Sequence, residues 1–330
     1  MAAGSKLAVG AAIGGNTVVA IAKFIAFGFT GSGAMLSEAI HSVADVLNQV
    51  LLMVGVVRSD REPDEKHPYG YGRERFVWAL MSAVGIFFLG CGVTVYHGIH
   101  SLMHPTAIKS VTWAIAVLIF ALVVEAIILV LALQQLKKQA GDEPIFQYLR
   151  SDADPATVAV VLEDAAACLG ILIALACIGL AKVTGQAYWD AIGSLSIGFL
   201  LGGIAIFLIV RNHQLLVGQT VPLDVQEKVR AILEAEPAVE EVFELKGRML
   251  DLETYDIMAD IEFDGRHFAE EMEPQLREAW GKIENIDDFL EFTRQFADDV
   301  VEALGDEVDD LEQRIREKVP EAVHLDLEAH

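Results

Sequence analysis

The sequence predicts a mainly α-helical membrane protein, in which a bundle of six transmembrane helices is followed by a cytoplasmic α+β domain. Two observations carry this prediction. The 330 residues are 53% hydrophobic with a mean hydropathy of +0.41, which is unusual for a soluble chain. Charge is also uneven, since residues 213–330 hold 33 Asp and Glu against 11 Lys and Arg, a net −22 of the chain's −24. We therefore expect a six-span membrane domain over 1–212 and an acidic cytoplasmic domain over 213–330.

Six apolar segments are long enough to cross about 30 Å of hydrocarbon as helices. They cover approximately residues 7–29, 34–57, 76–101, 111–136, 155–181 and 187–210. An even number of spans places both termini on one side, and the loops after the second and fourth spans carry most of the basic loop residues. The positive-inside bias therefore predicts cytoplasmic termini, in a bacterial inner (cell) membrane or an organelle membrane. The first span follows Lys6 directly, so we expect no cleavable signal peptide.

The acidic domain is predicted to have the element order αββαβ, a ferredoxin-like arrangement. The helix is Asp224–Glu234, and the strands lie near 242–250, 255–263 and 323–328, where apolar and polar residues alternate. Between the last two strands, 268–319 has helical spacing and is expected to break near Gly281 and Gly305. The acidity argues against a nucleic-acid partner, which requires a basic surface.

The second span carries His41 and Asp45, four residues apart. Ionisable side chains at membrane depth are rare and usually face a bundle interior or an ion pathway. At this spacing both side chains lie on one helical face, which Asn48 shares. Imidazole nitrogen with carboxylate oxygen suits zinc and later first-row metals better than calcium or magnesium. The alternative is a His and an Asp that only form hydrogen bonds between packed helices.

The fifth span carries two adjacent acidic residues, Glu163 and Asp164. Neighbours on a helix diverge by roughly 100°, so both cannot point straight at one centre. One is predicted to be a ligand, and the other a neighbouring acceptor or a proton carrier. In the fourth span, Glu125 is either a neutral hydrogen-bonded residue or a proton relay.

Several other residues are typical of structural rather than chemical roles. His97, His100 and His104 share one face at the non-cytoplasmic end of the third span, where three imidazoles in water would form only a weak metal site. Asp190, at the start of the sixth span, is typical of a helix cap. The three cysteines lie in predicted spans without CxxC spacing, so neither a disulfide framework nor a cysteine zinc site is expected.

The motif His41-x-x-x-Asp45, with Asp164 six residues before Gly170, six spans and an αββαβ tail, resembles the cation diffusion facilitators. This family comprises homodimeric metal–proton antiporters and includes the zinc transporters. The resemblance implies a transport site of four side chains, two from the second span and two from the fifth, with an Asp at the place of Asp164. Where zinc transporters carry a His four residues before that Asp, this chain has Val160. The fourth ligand is therefore either Glu163 or water.

Two further departures concern accessory sites. The loop His67-Pro-Tyr-Gly-Tyr71-Gly-Arg resembles the family's histidine-glycine loop, but Tyr71 occupies the place of its second His. An ordered loop is therefore favoured over a tight metal site at His67. In the tail, His324 and Asp326 are the residues that could form a weak regulatory metal site. The segment of about 268–304 resembles a helical insertion.

These features predict proton-coupled export of a divalent transition metal from the cytoplasm by alternating access of a homodimer. Zn²⁺ is favoured, with Mn²⁺, Fe²⁺ and Co²⁺ as other candidates. The alternative is a non-transporting membrane scaffold or metal sensor that acts through the tail. An enzyme such as an intramembrane hydrolase is not expected, since the chain has neither an HExxH motif nor a nucleophile paired with a base.

Overall fold

The computed structural model describes residues 2–104, 111–141, 144, 145, 148, 155–251 and 254–330. Contacts divide the chain into two units, Met1–Val217 and Gly218–His330. The division falls five residues after the end of the predicted membrane domain, because the sixth long helix continues to Val217.

The first unit consists of long helices. They are α1 (Ala2–Thr30), α2 (Gly33–Ser59), α3 (Glu74–Gly85), a π-helical segment (Ile86–Val93), α4 (Thr94–Met103), α5 (Val111–Ala140), α6 (Pro155–Thr184) and α7 (Tyr188–Val217). The segments from α3 to α4 form one continuous span. Within the described ranges, six spans are long and apolar enough to cross a membrane, by length and composition. The six-span prediction is therefore confirmed.

The third and sixth spans pack closely through glycines. A Cβ on Gly198 would lie 2.6 Å from Cγ2 of Val95, and one on Gly202 would lie 2.8 Å from Sγ of Cys91. Both distances are too short for a real side chain, so only glycine permits this approach. Gly203, by contrast, has no atom within 4 Å of such a Cβ in the described chain.

The second unit is a three-stranded sheet covered by helices. Its elements are α8 (Leu223–Glu234), β1 (Val239–Met249), β2 (Tyr255–Phe263), α9 (Gly265–Glu271), α10 (Glu273–Trp280), α11 (Ile286–Lys318) and β3 (Ala322–Ala329). The strand order is β1-β2-β3, with β1 antiparallel and β3 parallel to the central β2. The core lies between one sheet face and helices α8 and α11, and contains Val229, Leu233, Ile257, Ala259, Ile261, Leu311 and Ile315.

The predicted helical interval between β2 and β3 breaks at only one of its two expected glycines. The break near Gly281 is confirmed, and Asn285 then caps α11 by accepting from the backbone N–H groups of Asp287 and Asp288. The break near Gly305 is wrong, because α11 runs through it without interruption. An isolated helical glycine costs only about 1 kcal/mol relative to alanine. The burial of α11 against the sheet beyond this glycine outweighs that cost.

The N-terminal part of α11, which lies within the predicted insertion 268–304, does not join this core. The only buried residues of α11 are Leu311 and Ile315, in its C-terminal third. Phe289, Leu290 and Val301 are exposed. These three side chains of the insertion are therefore uncovered within the described residues, whereas Phe268 at its start is buried.

Candidate functional site

The start of the second span is fixed by a residue from the sixth. Ser32 caps α2 by accepting from the N–H of Met35. Buried Asp190 of α7 accepts from the Ser32 hydroxyl at 2.5 Å and from the N–H groups of Gly33 and Ala34 at 2.5 and 3.2 Å. Asp190 therefore caps α2 rather than its own helix, which corrects the role expected from its position in the sequence. A carboxylate at a helix N-terminus is favourably placed for the helix dipole.

This cap sets the direction in which α2 presents the predicted ligands. His41 and Asp45 are buried, and Nδ1 of His41 lies 3.4 Å from Oδ1 of Asp45. That approach lacks hydrogen-bond geometry, and both ring nitrogens of His41 are buried without a partner. A buried polar atom usually has a hydrogen-bond partner, so the unpaired imidazole is an available donor to an ion.

The fifth span brings both of its acidic residues into the bundle. Glu163 accepts a hydrogen bond from the side-chain amide of Asn48, while its Oε1 atom has no partner. Asp164 is equally buried, and its Oδ2 atom is unpaired. Both carboxyl groups lie close enough for their charges to act on Asp45. The structure thus places Glu163 against the second span through Asn48 and leaves Asp164 less constrained.

These groups are near one another but do not enclose an ion. In the part of the chain that the structure describes, no three His, Cys, Asp or Glu side chains are arranged closely enough to hold a metal. Assigning His41, Asp45, Asp164 and Glu163 as a ligand set therefore stays a prediction. Val160, at the position of the expected fifth-span His, is half-buried and packs against an apolar cluster that includes Leu52 of α2 and Leu136 of α5.

A buried cation near this group was missed by the sequence analysis. Lys23 of α1 is fully buried and donates to Oγ of Ser42 at 2.8 Å and to Oε2 of Glu38 at 3.1 Å. Oε1 of Glu125 lies 3.9 Å from the same ammonium. A signal existed, because the cost of an ionisable residue at membrane depth that singled out Asp45 applies equally to Lys23 and Glu38.

Together these residues form a strongly acidic cluster inside an apolar bundle. Spans one, two, four and five contribute one lysine, Lys23, and five carboxyl groups, which are Glu38, Asp45, Glu125, Glu163 and Asp164. A medium of low dielectric constant cannot hold four uncompensated negative charges. The cluster must therefore take up protons, a metal ion, or both, and the two compete for the same lone pairs.

The loop between the second and third spans is ordered around Asp64. The Tyr71 hydroxyl donates to Oδ2 of Asp64 at 2.7 Å, and the His67 ring contacts Oδ1 at 3.3 Å and lies tilted against the Tyr71 ring. The hydrogen bond from Tyr71, supported by backbone N–H groups, lowers the pKa of Asp64 to about 2. Tyr71 thus has a structural partner in the place where the resemblance puts a second histidine. The weakness of any metal site at His67 stays a prediction.

The other histidines do not converge on a common centre in the described structure. His97 lies beside Gly33 at the start of α2, whereas the rings of His100 and His104 pair with each other, 5.1 Å apart. In the tail, His324 and Asp326 project from one face of β3, opposite Asp256 and Met258 of β2. A regulatory role for that pair stays a prediction.

Comparison with known proteins identifies the family. Residues 9–217 match the family model for the cation efflux transmembrane domain. The chain is 37% identical over 314 residues to the Xenopus laevis protein named proton-coupled zinc antiporter SLC30A9, mitochondrial, covering 93% of this chain and 56% of that protein. The human protein of that name is 36% identical over 313 residues, covering 93% and 55%. Metal tolerance protein C4 of Arabidopsis thaliana is 38% identical over 336 residues, covering 99% and 74%.

These matches cover almost all of the chain, although the chain spans little more than half the length of the SLC30A9 relatives. The family model and the Arabidopsis relative both extend over the residues that carry the buried cluster. Six spans, an acidic cluster inside them and a small α+β domain agree with what these matches indicate. The chain is an integral membrane protein of the cation diffusion facilitator family.

Proposed function

We propose that the protein exports a divalent transition metal, with Zn²⁺ as the preferred ion, in exchange for protons. The observation that carries this proposal is the imidazole of His41, buried with both nitrogens unpaired beside Asp45 and facing a bundle that also holds Asp164. A neutral imidazole with carboxylates is a donor set suited to zinc. The names of the animal relatives, proton-coupled zinc antiporters, support the same assignment.

In this proposal His41, Asp45 and Asp164 are the principal ligands. Glu163 is already bound to Asn48, so it serves either as a fourth ligand after release or as a proton carrier beside the ion. Metal binding brings the second and fifth spans closer together than in the present arrangement, in which no three ligand side chains among the described residues enclose an ion. Binding and conformational change are then coupled, as alternating access requires.

Proton coupling follows from the charge of the cluster. The carboxyl groups are neutralised by protons when the metal is absent, and the metal displaces those protons when it binds. Entry of protons from the far side then expels the ion. If more positive charge enters as protons than leaves as metal, a membrane potential of 100 mV contributes about 2.3 kcal/mol per extra charge.

The orientation and assembly are part of the same proposal. Cytoplasmic termini follow from the basic loops, in a cell or organelle membrane. A homodimer would cover the exposed apolar residues of the α11 insertion, such as Phe289 and Val301. Removing residues 218–330 should then weaken dimerisation in detergent, and an unchanged mass by light scattering would count against a tail-mediated dimer.

A second candidate is a membrane scaffold or metal sensor that does not transport. The absence of three converging ligands among the described residues and the exposed insertion favour it. Zinc flux into proteoliposomes distinguishes the two functions. Transport requires saturable uptake that collapses when the pH gradient is dissipated and that Asp45→Asn abolishes, whereas a sensor binds zinc without such uptake.

A further inference from the structure

A second cation position lies beside the proposed transport site. Lys23 is placed about two turns before the end of α1, from where a lysine side chain can normally extend to the membrane surface. Instead it is fully buried, with its ammonium 2.8 Å from Ser42 Oγ, 3.1 Å from Glu38 Oε2 and 3.9 Å from Glu125 Oε1. Oxygens from two other spans therefore surround one positive charge.

The Glu38 carboxylate has further capacity to bind a cation. Its Oε1 atom is buried without a hydrogen-bond partner and points towards α6. A Cβ on Gly170 would collide with that oxygen, so the glycine makes room for the carboxylate. A buried carboxylate oxygen without a partner is costly, so the Glu38 carboxylate would be stabilised by added positive charge.

The donor set at this position is made of oxygen only. Two carboxylates and a hydroxyl form a set typical of hard cations such as Mn²⁺. It differs from the proposed transport site, where His41 supplies nitrogen. None of Glu38, Ser42 or Glu125 is among the proposed transport ligands, so the two positions use different side chains.

Building on the proposed function, we propose that Lys23 is a tethered cation that fills this second position and so limits the cargo to one divalent ion per protomer. Its ammonium neutralises one of the two carboxylates, Glu38 or Glu125, and occupies the position so that a metal ion cannot bind there. The cargo is thereby confined to the His41–Asp45–Asp164 side. Lys23 is in this sense a residue that determines ion stoichiometry, and it does not touch the cargo itself.

The test counts bound metal in the full-length purified protein. Equilibrium dialysis against Mn²⁺, followed by elemental analysis, should give one ion per protomer for the unaltered protein and two for Lys23→Met, which keeps length and removes charge. Lys23→Arg, the charge-preserving control, should remain at one. Lys23→Met combined with Glu38→Gln should also return to one, because the second position then lacks a carboxylate.

A count of one for Lys23→Met, with unchanged affinity, would overturn the proposal. If that variant is unstable, the proposal requires that added Mn²⁺ or the second change Glu38→Gln raise its melting temperature, since unpaired carboxylate charge is the cause. If neither added Mn²⁺ nor Glu38→Gln restores the stability of the variant, Lys23 acts through packing. That result would also overturn the proposal. Failure of the proposed function looks different, because the unaltered protein would then bind no ion in a His41-dependent way.

Discussion

Replacement of Asp190 by alanine should loosen the start of the second span. Its carboxylate accepts three hydrogen bonds there, from the Ser32 hydroxyl and from the N–H groups of Gly33 and Ala34. Hydrogen bonds between membrane helices are worth on average about 0.6 kcal/mol each and at most about 1.7. Three bonds lost together therefore predict a loss of about 2–5 kcal/mol in the free energy of unfolding.

Reversible unfolding in mixed micelles, followed by circular dichroism, measures this loss. The matched control is Asp224→Ala, which also removes an acidic residue from the first turn of a helix but at an exposed position with only a surface ion pair to Lys228. That change should alter the free energy of unfolding by less than about 0.5 kcal/mol. If Asp190→Ala is as mild as this control, the interhelical cap does not stabilise the second span.

Four other substitutions test the site and its loop. Asp164→Asn should abolish zinc flux while Glu163→Gln reduces it less than tenfold, because the latter can keep a hydrogen bond to the second span; the opposite order would exchange their roles. His41→Asp makes the donor set all oxygen, so calorimetry should find a smaller ratio of zinc to manganese affinity, and an unchanged ratio would place selectivity in geometry. Tyr71→Phe should raise the pKa of Asp64 from about 2 towards its usual value near 4, observed by carboxyl-carbon NMR. Because the folded pKa is lowered, the loop gains stability above about pH 4 and loses it as pH falls towards 2. The variant should show a weaker dependence, since the backbone N–H groups of Lys66 and His67 still donate to Asp64.

The sequence predicted the fold well because hydrophobic length and alternation are local signals. Six spans follow from runs of apolar residues, and the three strands follow from two-residue alternation. The wrongly predicted helix break at Gly305 arose because the deciding effect is not local. A glycine disfavours a helix locally, but the burial of Leu311 and Ile315 beyond it is a tertiary effect that local propensity does not contain.

The site could be predicted only in part from the sequence, for a related reason. His41 and Asp45 are close along the chain, so their helical spacing placed them on one face. The partnership of Lys23 with Glu38 joins two spans, and that of Asp190 with Gly33 joins residues far apart in the chain. Such pairings depend on how helices pack against one another, which periodicity within one helix does not specify.

The glycine contacts between the third and sixth spans have a mechanical consequence. Where Gly198 meets Val95 and Gly202 meets Cys91, the two helices leave no space for a further side chain, so a change in the angle between them would press these side chains against the facing helix. The charged side chains of the cluster come from the other four spans. A rearrangement that changes access to the cluster would therefore move the third and sixth spans together as one rigid body. The four spans that carry the charged side chains would move relative to that pair.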